Sequence, residues 1–343
     1  MPPPPSTPGT VRIGGVPEHF NLPFALAAEA GLPSARGSPE VEWVSVPGGS
    51  GAMMKGLLAG DYDAALLLTE AAVAAALSPP HAIRIAGGWV DTPLTWGIYV
   101  HPDSPHALPT AAATAAGKDA APRPPALPLD QSPRPLTWGI SRPQSGSHTL
   151  ALLHTRGHPH PPAFATCGNM DGLLAGIADR TVDVFLWERA TTAPAVEAVR
   201  VALAGTVVPG WPAFCVAVCA NAPEDVVGAV QAAVATAAVA AGSMLAAAGG
   251  DAAGTVGGGG GGGGPPASRV AAEYGPRAAE AVCAGTISWR GQGSGDGVAT
   301  VSVAAVSRAV DALVVGGVLP EGTEGGRGAA ARVVVDGLVS LVD

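Results

Sequence analysis

Lysine is almost missing from this chain. Only Lys55 and Lys118 occur among its 18 basic residues, so Schiff-base chemistry has two possible carriers. Charge of both signs is scarce, at 13% of 343 residues, and aromatics reach only 4%. The formal net charge of −9 comes without any basic block, which argues against a nucleic-acid partner. The four cysteines, Cys167, Cys215, Cys219 and Cys283, contain no C-x-x-C pair. They read as buried free thiols, and nothing in them demands an oxidising compartment. No G-x-S-x-G, H-E-x-x-H or Walker sequence occurs, which removes the usual carriers of acyl-transfer, zinc-protease and P-loop chemistry. The opening MPPPPSTPGT has neither a basic n-region nor an apolar h-region, and a cytoplasmic chain is the expectation.

What is present is apolar and alternating. A chain of this length can build two globular units with real cores. The one long uncharged stretch, 226–250, is rich in alanine and follows Asn221, Glu224 and Asp225. Alanine gains little on transfer to lipid and the acids mark an ordinary helix start, so a buried core helix is expected rather than a membrane span.

VRIGGV (11–16), VEWVSV (41–46) and DYDAALLL (61–68) read as buried strands. Helical patterns lie between them over 21–32 and after PGGSG. IRIAGGWV and TWGIYVHP complete a first unit. Strand–helix alternation of this kind predicts a mostly parallel sheet with helices on both faces. Residues 102–135 are rich in Pro and Ala without periodicity and read as an inserted loop. Alternation resumes at Leu136, with strands at FATCGN, VDVFLW (182–187) and 201–208, then WPAFCVAVCAN. The eight glycines at 257–264 have no Lys-Ser/Thr after them and form a linker, not a phosphate loop. Helices are expected around 268–283 and 301–318, and 330–342 fits either a strand or a helix.

The segment WGISRPQSGSH (138–148) carries the strongest local signal. A short strand runs into a turn, and Ser145-Gly146-Ser147 stands where a helix starting near His148 needs its cap. Free N–H groups and the positive end of the helix dipole then suit an anionic or strongly polar group. PLTWGI occurs twice, at 93–98 and 135–140, which suggests two similar lobes.

The order of VRIGGVPEHFNLPFALAAEAGL, VEWVSVPGGSGAMMKGLLAGDYDAALLLTEA, WGISRPQSGSH, DRTVDVFLWERATT and VPGWPAFCVAVCAN resembles the type 2 periplasmic-binding-protein-like superfamily. The nearest branch holds nitrate-, sulfonate- and taurine-binding proteins and the thiamine-pyrimidine-synthesis proteins, and the likeness is greatest to its stand-alone eukaryotic-type members. The resemblance implies a two-lobed α/β fold with ligand between the lobes. It divides the chain into a disordered N-terminus (1–10), a first lobe in two parts (11–101 and 206–320, with a Gly-rich linker at 254–266), the insert (102–135), a second lobe (136–205) and a tail (321–343).

Ligands of open α/β sheets sit beyond the carboxyl ends of the strands, and that rule nominates the site residues. Glu18 and His19 follow the first strand; the alternatives are a cap for the next helix and plain packing. Ser50 and Gly51 lie in the Gly-rich start of the second helix. Thr69 and Glu70 end the third strand in apolar surroundings, where a carboxylate is paired or reads a ligand unless it lies at the surface. Ser145, Gly146, Ser147 and His148 are the main candidates of the second lobe. Asn169 is a candidate whose alternative is a helix cap. Trp187, Glu188 and Trp211 complete the set, the indoles as stacking walls.

HTRGHPH places His154, His158 and His160 close in sequence, but Gly157 and Pro159 break the helix there, and no metal is expected. The thiamine-pyrimidine-precursor synthases need a lysine and a histidine at the end of the third strand, where this chain has Leu67 and Ala71. Their cysteine-rich iron-binding motif is also missing. The expectation is therefore a receptor for a small polar molecule, anionic or heteroaromatic, with no catalytic residue and no cofactor. The alternatives are a related cytosolic enzyme and a protein-interaction module that docks through the Pro-rich insert.

Overall fold

A computed structural model describes residues 9–29, 40–108, 126–198, 201–251, 290, 300–334 and 340–342. The glycine run, the helix expected at 268–283, Cys283, Trp289, Lys118 and the centre of the insert lie outside these residues.

The elements run β1 (Thr10–Gly15), α1 (Leu22–Glu29), β2 (Glu40–Ser45), α2 (Gly49–Ala59), β3 (Ala64–Leu68), α3 (Thr69–Leu77), β4 (Ile83–Val90) and β5 (Trp96–Val100). Then come β6 (Thr137–Ile140), α4 (Gly146–His154), β7 (Ala163–Thr166), α5 (Met170–Ala178), β8 (Val184–Glu188), α6 (Arg189–Ala198) and β9 (Ala202–Val207). The chain continues through β10 (Phe214–Cys219), α7 (Glu224–Asp251), β11 (Thr300–Ser302), α8 (Val303–Val315), α9 (Gly326–Val333) and β12 (Ser340–Val342). The undecided stretch 330–342 thus holds both the end of a helix and a short strand. The helix expected from 301 begins only after β11, where Ser302 Oγ accepts the Ala305 N–H at 3.2 Å.

Two compact units result. One comprises the described residues of Met1–Pro93, Gly210–Val314 and Leu319–Asp343, the other those of Leu94–Pro209 and Val315–Val318. The first sheet has the order β2-β1-β3-β10-β4, the second β7-β6-β8-β5-β9. In each, four strands run one way and the fourth in order runs against them: β10 opposes β3 and β4, and β5 opposes β8 and β9. Both sheets are therefore mixed, though mostly parallel as expected. TWGIYV, assigned to the first lobe from sequence, pairs with β8 and β9. The expected boundaries at 101 and 205 accordingly move to 93 and 209. Both copies of PLTWGI consequently feed the same sheet, so that echo does not mark one strand in each lobe.

The units do share a build, carried by other residues. Asp63 N–H donates to Arg12 O at 2.9 Å, and Asp63 Oδ2 accepts the Arg12 N–H at 2.8 Å. Asp183 repeats both bonds on Thr137, at 2.8 Å each. Each aspartate also meets an arginine, Arg12 at 3.3 Å and Arg134 at 2.6 Å. A glycine in the last turn of the preceding helix stands at the same spacing, Gly56 before Asp63 and Gly176 before Asp183. A Cβ on Gly56 would come within 2.4 Å of Tyr62 Oη, and one on Gly176 within 2.8 Å of Val182 Cγ2. Helix, glycine and aspartate thus lock each third strand onto its first in the same way.

Residues 224–242 are long and apolar enough to cross a membrane by length and composition. In this fold Val227, Val230, Val234, Ala237 and Ala241 of α7 are fully buried. Gln231 Nε2 donates to Ala86 O of β4 at 2.9 Å. Their three- and four-residue spacing is that of a helix face laid on a core. At the described ends of the insert, Leu127 N–H donates to Pro105 O at 2.8 Å, and His106 Nδ1 meets Leu127 O at 2.7 Å. The loop therefore leaves and returns at one place.

Candidate functional site

Strand direction decides which residues of each unit meet. In the first sheet, Phe214 pairs with both Leu68 and Val90, so the start of antiparallel β10 joins the carboxyl ends of β3 and β4. Thr69 and Glu70 follow β3, and Trp211 precedes β10. The Trp211 indole N–H donates to Glu70 Oε2 at 2.9 Å, with both residues buried. Burial raises the Glu70 pKa, against the lowering effect of the Trp211 hydrogen bond. Glu70 is therefore not a surface acid at a helix start, although it does lie in the first turn of α3. Thr69 N–H donates to Ala213 O at 3.1 Å, fastening the start of α3 to the β10 approach.

His19 is buried in a 3-10 turn, His19–Asn21. Its ring lies edge-on to Phe20 at 4.9 Å, and Phe20 packs on Phe214 at 4.4 Å. His19 thus reaches the same sheet edge as Glu70. Glu18 is half-buried and gives that turn no side-chain cap. Ser50 is buried and Gly51 half-buried in the first turn of α2, whose start at Gly48 also has no side-chain cap. First-turn N–H groups of a helix have no acceptor within the helix.

Asn21 was read from sequence only as a helix start. It is a buried clamp: Nδ2 donates to Val16 O at 3.0 Å and Oδ1 accepts the Trp89 indole N–H at 3.0 Å. Trp89 is fully buried, and Trp43 stacks on Phe24 at 5.8 Å. Leu67 and Ala71, which stand where the precursor synthases need a lysine and a histidine, are buried.

In the second unit Ser145 caps α4, its Oγ accepting the His148 N–H at 3.3 Å. Ser147 Oγ accepts the Ser141 N–H at 3.2 Å and lies 2.9 Å from Ser145 Oγ. Both hydroxyls are therefore already engaged inside the turn. His148 Nδ1 accepts the Gln144 N–H at 3.0 Å, which requires a neutral ring protonated on Nε2. Burial lowers its pKa in the same direction. Gly146, buried, opens the helix.

The residue that sequence reasoning passed over is Arg142, in the same turn. Its carbonyl accepts the Ser145 N–H at 3.2 Å. Its half-buried guanidinium has no hydrogen bond or ion pair among the described residues, and burial alone lowers its pKa. The signal was available: Arg142 is the only Lys or Arg in WGISRPQSGSH.

Other candidates take structural roles. Asn169 is exposed and caps α5, with Oδ1 accepting the Gly172 N–H at 3.0 Å. Trp187 packs on the core of Tyr99, Leu173, Ile177 and Phe185. Glu188 Oε1 accepts the Ala190 N–H at 2.9 Å. Trp187 and Glu188 are neighbours on β8 and so point to opposite faces of the sheet. His154 and His158 have ring centroids 5.7 Å apart. Among the described residues no group of three or more His, Cys, Asp or Glu is placed to hold a metal ion.

No protein-family model and no curated protein matches the sequence. Solved structures do match. A conserved gene product of Candida albicans, CA3427, described as having the generic periplasmic-binding-protein fold, superposes with a TM-score of 0.70 at 19% identity, over 97% of this chain and 98% of its own. The alkanesulfonate-binding protein SsuA of Xanthomonas axonopodis pv. citri, bound to MOPS, gives 0.62 at 16% identity over 98% and 100%. A ligand-binding component of an ABC-type import system from Staphylococcus aureus, with zinc bound, gives 0.60 at 10% identity over 96% and 97%. These superpositions show that the chain has a periplasmic-binding-protein-like fold.

Proposed function

We propose that the chain is a non-catalytic receptor for a small polar molecule that carries an anionic group. The observation that carries this reading is Arg142. A half-buried guanidinium with no acid beside it among the described residues calls for an anionic partner. Here it belongs to the turn that opens α4, whose first N–H groups and dipole also favour negative charge. An anion would satisfy both at once, and planar oxyanions suit the guanidinium fork. The shared fold of an alkanesulfonate-binding protein supports the same class of ligand.

Native mass spectrometry of gently purified protein should show a retained small molecule. A thermal-shift panel of nitrate, methanesulfonate, ethanesulfonate and a pyrimidine carboxylate should give at least one stabilising anion. Arg142→Gln should weaken that anion about 10- to 100-fold, the size of a hydrogen bond to a charged group, without lowering the melting temperature of the free protein. Equal affinity in the variant would overturn the assignment.

A further inference from the structure

We infer that the carboxyl edge of the first sheet carries a second, uncharged subsite for a short aliphatic group bearing one hydrogen-bonding oxygen or nitrogen. The place is a small hollow, partly open to solvent, with Thr69, Ile85, Pro212, Phe214, Ala305 and Val306 in its wall. Thr69 is 6% exposed, and its Oγ1 is buried without a hydrogen-bond partner among the described residues. The Cys215 thiol is near enough to interact with it but does not form a hydrogen bond of proper geometry, and sulfur is a weak partner in any case. A hydroxyl stranded in an apolar wall is unfavourable, and a ligand atom that donates to it or accepts from it removes that penalty.

The rim fixes the charge. Arg290 lines the pocket but is already neutralised by Asp91, to which its Nε donates at 2.8 Å. The apolar wall of Ile85, Pro212, Phe214, Ala305 and Val306 disfavours an unpaired charge. The subsite therefore takes an uncharged group, in contrast to the Arg142 turn.

The assignment rests on this sheet edge being a ligand site, and isobutyramide is the probe. It presents a branched aliphatic end and an amide that can both donate to and accept from Thr69. Saturation-transfer NMR on the full chain should show isobutyramide binding, with its methyl protons most saturated. Binding should fall at least fivefold in Thr69→Val, which keeps the shape and removes the hydroxyl. It should vanish in Ala305→Phe, or in Ala305→Leu if the larger residue unfolds the chain, as circular dichroism would report. Isobutyrate should bind at least tenfold more weakly than the amide. Undiminished binding in Thr69→Val, equal binding of isobutyrate, or no binding to the wild type would overturn the subsite. A small anion still retained in native mass spectrometry would then show that only the subsite had failed, and loss of both would remove the receptor reading as well.

Discussion

Single side chains decide whether the edge of the first sheet holds together. Asn21 ties the turn after β1 to Trp89 on β4, and its partner lies 68 residues away in sequence. Asn21→Ala strands a buried indole N–H and a carbonyl, so urea unfolding should show a loss of about 2–4 kcal/mol. Asn21→Asp should recover part of it, because a carboxylate still accepts from the indole. No local pattern announces such a bond, since asparagine before an apolar helix is equally the mark of a cap. Glu70 was easier to read, because a carboxylate between LLL and AAVAAA has to be paired or to face a ligand. Its partner, Trp211, was identified as a site residue but not as that partner. Cys215 gives a second residue-scale test. Burial pushes its pKa up to about 12, so roughly one thiol in 10⁴ is ionised at pH 8. Peptide mapping after iodoacetamide treatment of the folded protein should leave Cys215 unmodified, and denaturation should expose it.

Elements explain why the two units resemble each other. In both, a glycine lies in the last turn of a helix, and an aspartate seven residues later grips the first strand. Burial by itself would raise the Asp183 pKa, but hydrogen bonds from Arg134 and the Thr137 N–H, with the Arg134 charge, outweigh it and hold the pKa below its usual value. A carboxyl depressed in the folded state contributes stability that is complete above about pH 4 and is lost as pH falls through its folded value. Acid unfolding of wild type should therefore steepen below about pH 4. Asp183→Asn should be less stable at pH 7 and show a shallower acid limb; an unchanged limb would mean that Asp183 is not held in this way.

This repeat was not legible, because Gly56-to-Asp63 and Gly176-to-Asp183 share only their two end residues. PLTWGI was conspicuous and misleading, since identical letters serve an antiparallel strand in β5 and a parallel one in β6. The SGSH turn was legible as a helix start because capping is a local property. That its hydroxyls bond one another, leaving Arg142 as the open group, depends on how the turn folds back on Ser141.

At the scale of the whole molecule, strand–helix alternation and motif order were enough to expect a two-part α/β chain. The crossings were harder to place. Each unit borrows one reversed strand from beyond a crossover, and hydrophobic pattern does not reveal direction. That is why β5 was assigned to the wrong sheet. The same arrangement brings functional groups to the carboxyl edge of each sheet, with an engaged acid and an aliphatic pocket in one unit and an unengaged guanidinium in the other. The central claim is that Arg142 and the start of α4 form an anion site. Isothermal titration of the best stabilising anion into wild type and Arg142→Gln tests it most directly. The account predicts one site per chain in the wild type and affinity reduced about 10- to 100-fold in the variant. An unchanged dissociation constant, or no anion bound by the folded wild type, would contradict it.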